Sequence, residues 1–264
     1  MTLATAFIRK LPRRSDREEL VFASDSCLSG GQRFDQGPKI FPLPRSDALF
    51  CFAGDTYYAY PLAIHLATAI ASYPRSSDRR FPLERAVQHA CRIFEQSFRL
   101  IHHTPSDGRP IEADATFVFG GFSWHDDAFR MWKISIDRDG RTFPLTEIHE
   151  RHVFIGTTAA IPDAEARFQA LLAANNRNVT NFDMEPFEAL RDIVRARTYS
   201  DIGGTPQIAK VFRHMNTQFF STLWPDADET IRPHAFGRPL HPWEQTTWPR
   251  FDPDRINFNA QPPR

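Results

Sequence analysis

The chain has 264 residues, 41% hydrophobic and 24% charged, with Lys+Arg and Asp+Glu equal at 32 each. That length makes one large domain or two small ones, with enough chain to bury a substantial core. The balanced charge excludes a strongly basic nucleic-acid binder and an acidic disordered chain as defaults. Phe is abundant at 24, Gly scarce at 12 and Pro high at 21.

In chain order, residues 2–9 and 20–25 are β-rich stretches. The charged run 12–19 between them reads as the solvated loop of a hairpin. After a turn-rich piece at 26–37, residues 39–43 and 48–53 form another strand pair that ends at Gly54-Asp55. Residues 62–70 predict a buried helix with Pro61 in its first turn, where a missing N–H costs nothing. Leu83, Val87, Ala90, Phe94, Phe98 and Ile101 recur at three- and four-residue steps and predict an amphipathic helix. A polar loop at 103–113 leads to strands at 116–122 and 129–136, a hairpin turn at 137–140, a strand near 142–148 and a short one at 152–155. Helices follow at 162–173 and 184–197, the second with Asp183 as its N-cap. Gly203-Gly204 breaks the chain before a last strand pair at 207–212 and 217–223. The order is ββββ-αα-ββββ-αα-ββ, an α+β layered sandwich rather than an alternating α/β fold. Residues 1–223 form this domain. Residues 224–264, rich in Pro and Trp, read as an extended C-terminal tail whose aromatics pack on something.

Cys27, Cys51 and Cys91 are odd in number, with no C-x-x-C, so neither a disulfide framework nor a zinc knuckle is suggested. Reduced thiols in a cytoplasmic protein are expected. No segment approaches the ~18 apolar residues of a membrane span, and the start, Met1 to Thr5, has no signal-peptide pattern. No phosphate-cradling glycine motif occurs. No cofactor, metal, nucleic-acid or membrane partner is expected. His149 and His152 lack a convincing acidic third ligand, His102-His103 reads as solvated, and Cys27 lacks a placed histidine to activate it.

The element order, with particular residues on it, resembles the proteasome β-subunit family, the branch of N-terminal-nucleophile (Ntn) hydrolases that includes HslV, over roughly residues 2–223. Six pieces carry the resemblance. Thr2 opens the first strand. Residues 22–26 followed by Gly30-Gly31 look like the second strand and its acidic turn. Residues 37–41 look like the lysine-bearing strand, and residues 52–55 like the glycine turn before the first helix. Residues 154–159 and Gly203-Gly204 look like two later glycine turns. The resemblance implies a four-layer αββα sandwich and a threonine-type hydrolase of peptide or amide bonds. It also implies self-association into a ring or smaller oligomer. The residues do not tell whether an ATPase is a partner.

The implied chemistry starts at Thr2. Its hydroxyl is a poor nucleophile at neutral pH and needs a base, which removal of Met1 would supply as an α-amine with a reference pKa near ~8. Lys39 would lower the pKa of hydroxyl and amine by its charge, and Asp25 would be the anion such a buried lysine needs. Gly54 would offer a backbone N–H to the oxyanion, and Thr157 stands where the family has a serine that bonds the threonine amine. Each residue also has a plainer reading: a chain start, a structural ion pair, a turn glycine and a helix cap. The sequence departs from the family at Tyr199 and Ile202, where a polar pair is usual. Two alternatives stand beside the peptidase: a catalytically inactive proteasome-like structural or interaction subunit, and a small-molecule amidohydrolase.

Overall fold

The computed structural model describes residues 2–11, 14–30, 32–100, 114–137 and 142–259. The first half carries β1 (Leu3–Leu11), β2 (Arg14–Ser24), β3 (Leu28–Gly30), β4 (Gln32–Phe34), β5 (Ile40–Pro42), β6 (Ala48–Gly54), α1 (Thr56–Ser72), α2 (Pro74–Ser77) and α3 (Leu83–Arg99). Then come β7 (Ala115–Ser123), β8 (Ala128–Ser135), β9 (Leu145–Ile148), β10 (His152–Gly156), α4 (Ala160–Ala174) and α5 (Glu185–Ala196). The chain finishes with β11 (Gln207–Val211), β12 (Thr217–Phe219), β13 (Ser221–Pro225), β14 (Ile231–Ala235), β15 (Arg238–Pro239) and β16 (Arg250–Phe251).

The fold is α+β. Two five-stranded antiparallel sheets, β10-β1-β2-β11-β12 and β5-β6-β7-β8-β9, carry most of the strands. Their strands are apolar on both faces, and the pleat assigns alternate residues to different cores. In β1 and β2, Leu3, Phe7, Val21 and Ala23 join a core with α4 and α5, while Ala4, Ala6, Leu20 and Phe22 join a second core. That second core also takes Leu49, Cys51, Val118 and Met131 of the other sheet. On that sheet's opposite face, Phe50, Phe52, Phe117 and Trp132 meet α1 and α3. The stripe predicted from Leu83 to Phe98 is buried in this third core; Ile101 and the loop 103–113 lie outside the described residues. Phe94 of α3 stands with its ring 4.9 Å from that of Phe117, which stacks on Phe50 at 5.1 Å.

Several local expectations are corrected. The charged run after Leu11 belongs largely to the hairpin itself, because β2 starts at Arg14. Arg9 and Glu19, expected near a wet loop, satisfy one another instead: Arg9 Nε and one terminal nitrogen donate to Glu19 Oε2 at 3.0 and 2.6 Å. The turn-rich piece holds the small hairpin β3–β4. Helix α1 begins at Thr56, capped by Asp55, whose Oδ1 accepts the Tyr57 N–H at 2.9 Å. Pro61 therefore lies inside the helix. It is tolerated because the bond it forgoes lies on the solvent side, where Tyr57 and Pro61 are both exposed. Asp183 does not cap α5; its carboxylate is taken by Arg9 at 2.8 Å, and Met184 stands at the N-cap without a side-chain bond. The turn expected at 137–140 falls mostly on residues outside those described.

The C-terminal segment is folded rather than extended. Phe220 divides the last expected strand: β12 stays with β11, while β13 pairs with β14 and, in parallel, with β16. With β15 they make a four-stranded sheet. Phe251, Ile256 and Phe258 return to the core shared by β1 and α5. Their driving force is apolar burial, on the order of 2 kcal/mol per large side chain. No described helix is long and apolar enough to cross a membrane.

Phe258 also covers charge. Lys210, 3% exposed, places Nζ 3.0 Å from Glu19 Oε2 and 3.1 Å from the centre of the Phe258 ring. Burial, reinforced by the Arg9 charge, pulls the Lys210 ammonium down to about 7. Above pH 7 the folded chain thus holds fewer protons than the unfolded one, so this residue makes stability rise with pH toward the ordinary lysine range. Lys210→Met leaves Glu19 paired with Arg9. We expect it to remove that rise and to equal or exceed the parent's stability at pH 6, as read by urea denaturation from pH 6 to 10. A loss of about 3 kcal/mol at pH 6 would show instead that the ammonium is a required partner.

Candidate active site

The start of β1, the end of β2 and the segment entering β5 meet at one buried ion pair. Lys39 Nζ donates to Asp25 Oδ1 at 2.7 Å, and both side chains have 0% exposure. The same Oδ1 accepts the Leu3 N–H at 3.1 Å. Oδ2 accepts the Cys27 and Gly203 N–H groups, each at 3.1 Å. Burial pushes the Asp25 carboxyl up, and Lys39 with the backbone donors opposes it. Four donors on two oxygens are the arrangement a carboxylate demands, because an ionised carboxyl only accepts. Burial pulls Lys39 down, opposed first by Asp25 and, more weakly, by other groups that include Asp201.

This geometry ties Lys39 to Thr2 through one atom. The Leu3 amide that binds Asp25 Oδ1 belongs to the Thr2–Leu3 peptide, and the Leu3 carbonyl accepts the Asp25 N–H at 3.0 Å. Thr2 itself is 1% exposed. Gly156, paired with Leu3, lies so close that a Cβ there would stand 2.4 Å from the Thr2 carbonyl oxygen. Thr157, the next residue, is thereby carried beside the chain start. Its Oγ1 accepts the Ala160 N–H at 3.2 Å, which closes the turn leading into α4.

Gly54 ends β6, two residues beyond Phe52, whose N–H donates to the Lys39 carbonyl at 3.3 Å. Its φ of +120° and a Cβ position 2.3 Å from the Asp114 carbonyl oxygen call for glycine without reference to a ligand. Where the resemblance expects a polar pair, Ile202 is buried in the core beneath α5. The Tyr199 hydroxyl donates to the Asp163 carboxylate and has the Ala159 carbonyl 3.2 Å away, joining this turn to the start of α4. The turn's contribution to Asp25 is instead the Gly203 N–H. Burial and a hydrogen bond to Asp35 push the Cys27 thiol up to about 11, away from the thiolate a nucleophile needs. His152 bonds Glu165 at 3.1 Å against the Phe168 ring. Among the described residues, no group of three His, Cys, Asp or Glu could hold a metal ion.

Sequence reasoning missed Ser26 and Gln207. Ser26 Oγ donates to the Asp35 carbonyl at 2.7 Å and accepts the Thr205 N–H at 2.8 Å. Gln207 Oε1 accepts the Lys39 N–H at 3.0 Å, and Nε2 donates to the Gly37 carbonyl at 2.6 Å. The available signal was a glutamine on the β11 face that Ala209 and Val211 place between the sheets. No protein-family model and no curated protein matches this chain.

The pair's stability role is measurable without any assumed activity. Lys39→Met leaves Asp25 buried without its counter-charge and should cost about 3–5 kcal/mol. The double variant Asp25→Asn/Lys39→Met should cost less than the sum of the two single variants, with coupling of about 0.5–3 kcal/mol. Denaturant unfolding at pH 7 reads both, and strict additivity would mean that the two groups do not interact.

Proposed function

We propose that this chain is a threonine-type hydrolase of peptide or amide bonds. The nucleophile is the Thr2 hydroxyl, and the base is the α-amine that removal of Met1 creates. The observation that carries this reading is the shared Asp25 oxygen, which holds the Lys39 ammonium and the Thr2–Leu3 amide together in a solvent-free place. A nearby cation lowers the pKa of an acid, and the Lys39 ammonium would act in that way on the Thr2 hydroxyl. Thr2 Oγ attacks the carbonyl carbon and its proton passes to the α-amine. The amine then protonates the leaving nitrogen as the C–N bond breaks. Water hydrolyses the resulting ester and restores Thr2.

The succession of three apolar cores, helices against sheet, sheet against sheet, sheet against helices, supports reading the fold as a four-layer αββα sandwich of the Ntn-hydrolase kind. Self-association and a cytoplasmic location belong to the same reading. A second reading, a catalytically inactive proteasome-like subunit, draws on one observation: Thr2 is 1% exposed in the chain that includes Met1.

Intact-mass spectrometry of the purified chain, followed by reaction with an activated acyl ester, separates the two. We expect loss of Met1, one acyl adduct mapped to Thr2, and no adduct in Thr2→Ala. Retention of Met1, or acylation undiminished in Thr2→Ala, would reject the hydrolase reading.

A further inference from the structure

The three residues that enter β5, Gly37, Pro38 and Lys39, are held largely by side chains rather than by a strand ladder. The Gly37 carbonyl accepts from Gln207 Nε2, the Pro38 carbonyl accepts from the Tyr60 hydroxyl at 3.0 Å, and the Lys39 N–H donates to Gln207 Oε1. One glutamine amide thus grips the backbone on both sides of Pro38. Its two bonds fix the point from which the Lys39 side chain departs.

Gln207 is in turn covered by the C-terminal segment. The turn between β14 and β15 presents Gly237 at φ +86°. A Cβ there would stand 2.4 Å from Ser26 Cβ, 2.8 Å from Ser26 Oγ and 3.4 Å from Gln207 Nε2. Ser26 follows Asp25, and its carbonyl accepts the Gly37 N–H at 2.8 Å. A cavity of about 10 Å³ lies between this turn and β11, lined by Gln207, Ile40, Thr222, His234 and Gly237 among others. That is room for about one water, so the segment closes tightly over the glutamine.

We infer that Gln207, held in place by the Gly237 turn of the C-terminal segment, is a positioning residue that sets the Lys39 ammonium against Asp25 and Thr2. The inference rests on the proposed hydrolase role for the catalytic half of its meaning, and on the geometry alone for the positioning half. Chemically the clamp requires one acceptor and one donor at residue 207. A neutral glutamic acid supplies both, its carbonyl accepting and its hydroxyl donating. An ionised one has no donor and sets a negative oxygen against the Gly37 carbonyl.

The test uses the full chain with 13C-labelled lysine, comparing the parent, Gln207→Ala and Gln207→Glu. The NMR titration of Lys39 is recorded in a Thr2→Ala background, so it does not depend on acyl chemistry. Single-turnover acylation is recorded with Thr2 present. In Gln207→Ala we expect the Lys39 titration to move and acylation to slow by about tenfold to hundredfold, the scale of a misplacement near 1 Å. In Gln207→Glu we expect parent-like behaviour at low pH that falls to the Gln207→Ala level as the new carboxyl ionises. A pure packing role predicts no such pH dependence, and the low-pH Gln207→Glu form keeps the test alive if Gln207→Ala does not fold. An unmoved Lys39 titration in folded Gln207→Ala, or a Gln207→Glu profile parallel to the parent, would overturn the clamp. A moved Lys39 with no acylation in any Thr2-bearing protein would support the clamp and reject the hydrolase.

Discussion

An ammonium and a carboxylate sealed together with no solvent on either side constrain everything that touches them. Desolvating each ion carries a penalty of several kcal/mol, which only good geometry and further hydrogen bonds offset. Here the further bonds come from backbone donors at Leu3, Cys27 and Gly203. They lie on three separate stretches of chain. The start of β1, the turn after β2 and the glycine pair before β11 must therefore converge before Asp25 can be satisfied. The pair acts as a registration point for the first sheet, and the lysine reaches it from the other sheet across the core between them.

A second buried charge cluster lies on the opposite face of the same sheet. Arg9, Glu19, Asp183 and Lys210 bond among themselves between the strands and α5. The C-terminal segment closes over both clusters. Phe258 lies against Lys210 and Arg9, and the Gly237 turn lies against Ser26 and Gln207. An apolar ring over a lysine keeps water from its charge, which is why Lys210 sits well below the ordinary lysine range. The segment that composition marks as different from the rest is thus the cover of both polar interiors.

The sequence disclosed the periodic and the apolar parts well. Helix α3 was legible because one stripe from Leu83 to Phe98 is buried and the other faces are polar. Strands β6 and β7 were legible as apolar runs, but not which residues face which core, since both faces are buried and alternation disappears. The extent of the β1–β2 hairpin was hidden because a charged run reads as a wet loop, whereas Glu19 in it pairs with Arg9 across the strands. The C-terminal sheet was hidden because its strands are short, carry prolines and depend on partners distant in the chain. Of the site, the Lys39–Asp25 contact was expected from the resemblance to the Ntn hydrolases, with the two residues on neighbouring strand-like segments. Gln207 was not, because a lone glutamine declares a role only when its two backbone partners are in place.

The residues around the ion pair have structural duties that call for no chemistry. Gly156 must be small because the Thr2 carbonyl lies against it, and Gly54 because of its positive φ and the Asp114 carbonyl. Thr157 closes the turn that leads into α4. Tyr199 fastens one turn to that helix. Each of these would be retained in a protein with no chemistry at all. A buried lysine and aspartate are different, because well-packed apolar residues of similar volume often stabilise a core as much or more. Packing alone does not call for charge at positions 25 and 39, nor at Arg45 and Asp47, which also pair with no exposure; what would set the first pair apart is the proposed use of its charge at Thr2. The weight of the functional reading therefore falls on Lys39, and on whatever holds its backbone in place.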